Sequence, residues 1–220
     1  MNTGIIGDSH LPFSHKHYLS FCYQTFKKNK CTNIIHIGDL VDNHAISYHE
    51  HDSDGMSAED EMVETDKHLK KWFKAFPKLK LCRGNHDRMV DRKGKTSCLP
   101  KRVFKKFRDI WDLPVGWTDG WFFNIDGILY KHGTGYSSKY AHIQCAYDNR
   151  MNSVIGHCHS ILGVEYLENE QDRIFGMSVG CGIDVKSYAM AYQKDFRRRP
   201  ILGLGMVLED GKFPIAVPMF

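Results

Sequence analysis

The chain has 220 residues, 42% hydrophobic and 25% charged, with a formal net charge of +4. That length is expected to fold as one domain over residues 1–220, with a substantial buried core. The apolar runs are too short to span a membrane, and no basic segment leads into an apolar stretch at the start, so a cytoplasmic location with no membrane partner is expected.

The first short apolar run, residues 4–7, reads as a buried strand. Leu19, Cys22, Tyr23 and Phe26 then form an apolar stripe at helical spacing. A second strand-like run at 33–38 is followed by a stripe of Met62, Leu69, Trp72, Phe73 and Phe76, with Ser57 as candidate N-cap. After the run at 79–84, Val103, Phe104, Phe107 and Trp111 predict a third helix, with Pro100 near its start. Asp126-Gly127 marks a hairpin leading into a run at 127–131. Tyr140, Ile143 and Tyr147 predict a weaker fourth helix before the run at 153–156. Beyond His159 the pattern reads as strands, with a hairpin at Asp210-Gly211. This alternation predicts an α/β fold of two packed mixed β-sheets flanked by helices.

The seven cysteines are scattered and contain no Cys-x-x-Cys, so neither a disulfide framework nor a thiolate zinc site is expected. Charge is distributed unevenly. Residues 50–66 carry acids and no Lys or Arg, residues 92–108 carry Lys and Arg and no acid, and Arg197-Arg198-Arg199 forms a third patch. Such asymmetry steers anionic ligands.

The polar residues that end the apolar runs carry the chemistry. They are Asp8-Ser9-His10, Gly38-Asp39-Leu40-Val41-Asp42, Gly84-Asn85-His86-Asp87, His132-Gly133 and Gly156-His157-Cys158-His159. A lone His beside a core strand is an ordinary packing residue, and Asp or Asn there is an ordinary turn former. Turn chemistry does not ask for histidine at strand end after strand end. Imidazole and carboxylate without thiolate suit manganese, iron, zinc or similar ions. Two ions sharing one carboxylate would lie about 3.5–4 Å apart, the spacing of hydrolytic two-metal sites.

These motifs, in this order from Asp8 to His159, resemble the signature of the calcineurin-like metallophosphoesterases. The resemblance implies one divalent ion held by Asp8, His10, Asp39 and His159, and a second held by Asp39, Asn85, His132 and His157, with Asp39 bridging. Manganese is the expected metal, with zinc, iron and nickel as alternatives. The resemblance further implies that hydroxide between the ions attacks phosphorus in line. His86 would protonate the leaving oxygen, oriented by Asp42. Where phosphoprotein phosphatases of this superfamily place an arginine, this sequence has Asn43, itself a candidate substrate contact, and Arg83 or Arg88 is a candidate phosphate-gripping group. The C-terminal part, with Gly180-Cys181-Gly182, is similar to compact phosphoesterases common in phage genomes.

Lys101, Arg102, Lys105, Lys106 and Arg108 fall opposite the third apolar stripe, a face able to follow a nucleic-acid backbone. The expected activity is therefore a phosphodiesterase or nuclease acting on nucleotides or nucleic acid. Alternatives are a phosphomonoesterase, whether nucleotide or protein phosphatase, and an inactive nucleic-acid-binding scaffold. Oligomeric state is open. His15, His17, His44, His49 and His51 are expected in loops near the mouth, His44 being the best placed to contact substrate because it is nearest Asp42.

Overall fold

The computed structural model describes residues 1–48, 50–51, 54–187 and 198–220, so His49 and Arg197 lie outside the described residues. Strands β1 (Thr3–Ile6), β2 (Asn33–His36), β3 (Leu79–Cys82) and β4 (Trp117–Gly120) run parallel. Antiparallel β10 (Gly203–Leu208) and β11 (Phe213–Pro218) extend them into a six-stranded sheet in the order β11-β10-β1-β2-β3-β4. The second sheet has the order β5-β6-β7-β9-β8, built from Phe122–Ile125, Ile128–Lys131, Asn152–Ile155, Arg173–Val179 and Leu162–Glu168 in that order. Its β6, β7 and β9 are parallel, while β5 and β8 are antiparallel edges.

The period-two alternation of strand side chains divides the core in two. Ile5, Ile35, Tyr130, Val154, Met177 and Val179 meet between the sheets. Ile6, on the other face of β1, packs with Tyr18, Cys22 and Phe26 of α1 (Tyr18–Lys28) and with Leu69 and Trp72 of α2 (Ala58–Ala75). Ser57 caps α2 by accepting the Asp60 N–H at 3.1 Å, and acids fill the first turn where the helix dipole favours them. The expected two-sheet sandwich is thus present. So are both hairpins: Asp126 and Gly127 form a two-residue loop with positive φ at both positions, as the β5–β6 register requires.

One helix expectation fails, and a second expected helix forms but turns a different face inward. The third stripe does not form one helix: a 3-10 turn at Lys101–Val103 gives way to extended backbone at Phe104 and Lys106, then to a single turn, α4 (Phe107–Ile110). The apolar side chains serve different neighbours, Phe104 lying against Gly94 while Phe107 and Trp111 enter the main core, so one continuous face cannot satisfy both. The basic residues 101–108 therefore do not line one helical face. In α5 (Ala141–Asn149), Tyr140 and Tyr147 are exposed, and Ala141, His142, Cys145 and Ala146 face the sheet instead. Two elements are additional: β4, and the basic helix α3 (Met89–Thr96).

Candidate metal centre

The carboxyl ends of β1, β2, β3, β6 and β7 lead directly into the loops that carry Asp8 and His10, Asp39, Asn85 and His86, His132, and His157 and His159. Parallel strands turn these five ends toward one another, which is where α/β folds place ligands. His10, Asp39 and His157 have φ of 48°, 47° and 63°, a left-handed conformation disfavoured for residues other than glycine. Glycines allow the loops to approach: a Cβ at Gly84 would strike the Asp39 carboxylate, and one at Gly156 would strike that of Asp8.

His10, Asp42 and His86 bring their donor atoms together, and two further groups form, one from Asp8, His10, Asp39 and His159, the other from Asp39, His132 and His157. Asp39 belongs to both. Asn85 Oδ1 joins the second, 3.0 Å from His132 Nε2, which is itself 3.1 Å from Asp39 Oδ2. All seven expected ligands therefore converge. His10 Nδ1 faces Asp42 Oδ1 at 2.8 Å, and as the donor there it leaves Nε2 as a lone pair. That lone pair lies 3.2 Å from His159 Nε2, which also approaches Asp8 Oδ2 at 3.0 Å. A His159 N–H must be shared between the other two atoms, whereas all three could serve a cation as ligands. Asp8 Oδ1 is buried without a hydrogen bond, a further sign of a donor set suited to metal.

Asp42 connects this group to His86. Its Oδ1 is 2.8 Å from His10 Nδ1 and 2.9 Å from His86 Nδ1, and its backbone carbonyl accepts from His86 Nδ1 at 2.7 Å, so Asp42 orients both rings. Burial alone pushes the His86 imidazolium down, but the Asp39 and Asp42 carboxylates outweigh it and raise its pKa to about 10. Bound cations oppose that rise. His132 is pushed the same way, to about 9, with Asp39 and Asp8 overcoming burial, while burial holds His157 down at about 4.

Three supporting residues carried no signal of their own in the sequence. Asp87 is buried and accepts N–H groups from Leu40, Val41 and Gly84 at 2.9, 3.2 and 2.8 Å, tying the Asp39 loop to the Asn85 loop. Glu61 accepts the N–H groups of His44 and Ala45, each at 2.7 Å. His36, held neutral by burial, bonds Ser9 Oγ at 2.7 Å beneath the first loop. Asp87 was visible only as the end of a motif; acids that hold remote backbone leave no periodic trace.

The expected substrate contacts divide. Asn43 is buried and its amide donates to His86 O at 2.9 Å, so it holds the His86 loop. His44 is buried with its ring against Phe13 and His51. His15 and His17 lie beside each other, with ring centroids 5.7 Å apart. Arg83 and Arg88 are partly exposed, and both guanidinium groups lie over the Trp121 ring, 4.9 and 4.6 Å from its centroid. Trp121 is itself 53% exposed.

The profile of the family described as calcineurin-like phosphoesterase matches residues 1–175, which include every residue of the centre. The chain is a calcineurin-like phosphoesterase. It is thus a metal-dependent phosphoric ester hydrolase of a family with dinuclear centres. No curated protein matches this phosphoesterase in sequence. Among solved structures it is similar to Vacuolar Protein Sorting 29 from Cryptosporidium parvum (12% identity, 99% of this chain and 97% of that one, TM-score 0.46). It is also similar to the phosphoesterase Yfce from E. coli (13% identity, 99% and 100%, TM-score 0.43). A third is the Pseudomonas putida nuclease MPE (13% identity, 97% and 87%, TM-score 0.33). No described helix of the phosphoesterase is long and apolar enough to cross a membrane.

Proposed function

We propose that this phosphoesterase is a phosphodiesterase of nucleotides or nucleic acid, working with two divalent ions, manganese foremost, as a single domain in the cytoplasm. Asp8, His10, Asp39 and His159 would hold one ion, and Asp39, Asn85, His132 and His157 the other. When bound, such ions supply Lewis acidity to phosphoryl oxygens and bring the pKa of water toward neutrality.

The chain's own residues divide the remaining work. Water supplies the oxygen that attacks phosphorus, and the P–O bond to the leaving group breaks. With Nδ1 committed to Asp42, Nε2 of His86 is the nitrogen left to deliver a proton to the departing oxygen. Asp42 holds that ring and stabilises its charge, and Asn43 fixes the backbone beneath it. Arg83 and Arg88 take the phosphate, with the exposed Trp121 fixing their direction.

The observation that carries the diester reading is this cationic and aromatic mouth. Arg88 makes no ion pair among the described residues, and Arg83 has only Asp119, at 3.5 Å, so the mouth retains positive charge for an anion that also presents a flat group. The free cysteines suit the reducing cytoplasm. The test strips the protein of metal, restores manganese, zinc, iron, nickel or magnesium, and measures 4-nitrophenyl phosphate against bis(4-nitrophenyl) phosphate. Diester hydrolysis, strongest with manganese, is expected. Hydrolysis of the monoester alone would overturn the reading in favour of a phosphomonoesterase.

A further inference from the structure

A second aromatic ring among cations lies one step along α3 from the first. Tyr48 is 49% exposed and follows the Asp42–His44 loop. Its hydroxyl is 3.1 Å from Thr96 Oγ1, which fixes the ring to α3. Arg92 and Lys93 lie over that ring, the guanidinium carbon 5.1 Å and the ammonium nitrogen 4.1 Å from its centroid. Arg88 and Arg92 are four residues apart, so they share a side of the helix at about 6 Å of rise. Along α3 the order is therefore Trp121 with Arg83 and Arg88, then Tyr48 with Arg92 and Lys93. The first pair adjoins Asn85 and His86 in sequence, and the second leads away from the centre.

Lys93 also lines a groove of about 420 Å³ whose apolar wall includes Ile46, Val90, Leu99 and Phe104. One acid, Asp91, interrupts the basic character of α3, whose other charged residues are Arg92, Lys93 and Lys95. Exposed rings interleaved with flexible cations are the elements by which proteins hold unpaired bases and their phosphates. A small diester reaching the metal centre has no need of a second such pair.

We infer that the side of α3 running from Trp121 to Tyr48 is a track for single-stranded nucleic acid, which makes an oligonucleotide strand the substrate class of this centre. The inference rests on the diester reading above and extends it from the reacting phosphate to the neighbouring nucleotides. Arg92 and Lys93 move from the Tyr48 ring onto phosphate oxygens as a base takes their place on the ring. Arg83 and Arg88 do the same nearer the centre. Double-stranded nucleic acid keeps its bases stacked and offers the rings nothing.

The test compares Tyr48→Ala and the double variant Arg92→Ala/Lys93→Ala with the native enzyme loaded with manganese. Each is assayed on a single-stranded oligonucleotide, on its duplex and on bis(4-nitrophenyl) phosphate. For the single strand, kcat/KM is expected to fall about tenfold with loss of the ring, the scale of one base–aromatic stack. The double variant should also flatten the salt dependence of oligonucleotide binding by about 1.4 units of slope, about 0.7 for each lost phosphate contact. Hydrolysis of the small diester should stay at the native rate in both, which also shows that the variants are folded. Equal losses on oligonucleotide and small diester, unchanged oligonucleotide cleavage, or duplex cleaved as well as single strand would overturn the inference. If the native enzyme cleaves the small diester but no oligonucleotide, the track fails and the diester reading stands. If it cleaves no diester at all, the diester reading itself fails.

Discussion

The two halves of the candidate metal centre are held in place by different means. On one side, His10 is oriented by a carboxylate, Asp42 Oδ1 at 2.8 Å, and the same oxygen lies 2.9 Å from His86. On the other, His132 Nδ1 makes no hydrogen bond, and Asp8 Oδ1 is 3.8 Å away. What limits that ring is packing: a Cβ on Gly38, whose φ is 118°, would lie 2.7 Å from His132 Nδ1. Behind its ligand atoms, one half is therefore braced by a further carboxylate and joined to the candidate acid, while the other, whose His132 Nε2 faces Asp39 Oδ2 at 3.1 Å, is fitted there by shape. The difference implies that polar substitutions damage the first half and steric ones the second.

The largest separable effect is expected at His86, which belongs to the braced half but to neither group of ligands that share Asp39. His86→Ala should lower kcat on a diester by about 10²–10⁴-fold with metal content unchanged. Loss of both ions on elemental analysis would mean that His86 supports the metal instead. Next come the two braces. Asp42→Asn should weaken the ion on the His10 side by about 10- to 100-fold and leave the other near its native affinity. Gly38→Ala should do the reverse, because its methyl displaces the His132 ring. Calorimetric titration of stripped protein reads both, and matching losses from the two variants would erase the distinction between the halves.

The smallest effect concerns Glu61, which holds the His44–Ala45 turn behind the braced half. Burial, with Asp42 adding to it, raises its pKa from the ordinary 4.5 to about 7, against the pull of two N–H donors. A carboxyl with a raised folded pKa contributes stability that is fully present below about 4.5 and lost as pH rises through about 7. The thermal midpoint should therefore decline over that interval, and Glu61→Gln should flatten the decline. A slope that the substitution leaves unchanged would show that the N–H donors keep Glu61 ionised throughout.

The contrast between the halves was only partly legible in the sequence. The candidate ligands were readable because packing gives no reason for histidine and aspartate to follow one buried strand after another. Asp42 could be paired with His86 in advance, but its bond to His10 depends on how loops from β1 and β2 meet. Gly38 was visible only as the start of a motif, and only the fold brings the His132 ring against it. The two sheets followed from alternation, yet β4, with the sequence Trp-Thr-Asp-Gly, has no apolar run to announce it. Helix α3 was hidden in the same way: only Met89 and Gly94 are buried, so no apolar stripe announces it. In α5 the tyrosines suggested a stripe, but the small residues Ala141, Cys145 and Ala146 let the helix approach a sheet face that carries Gly176. Asp87 and Glu61 act on backbone far away in sequence, where no spacing rule reaches.

Asp39 is where the two halves meet, and it gives the most direct test of a dinuclear centre. Stripped native protein and Asp39→Asn are titrated with manganese, and ions bound per chain are counted. Native protein is expected to take up two, and the variant to lose affinity for both in parallel, because the same carboxylate belongs to each donor group. One ion retained at native affinity in the variant would contradict a shared carboxylate, and with it the two-ion account of this centre.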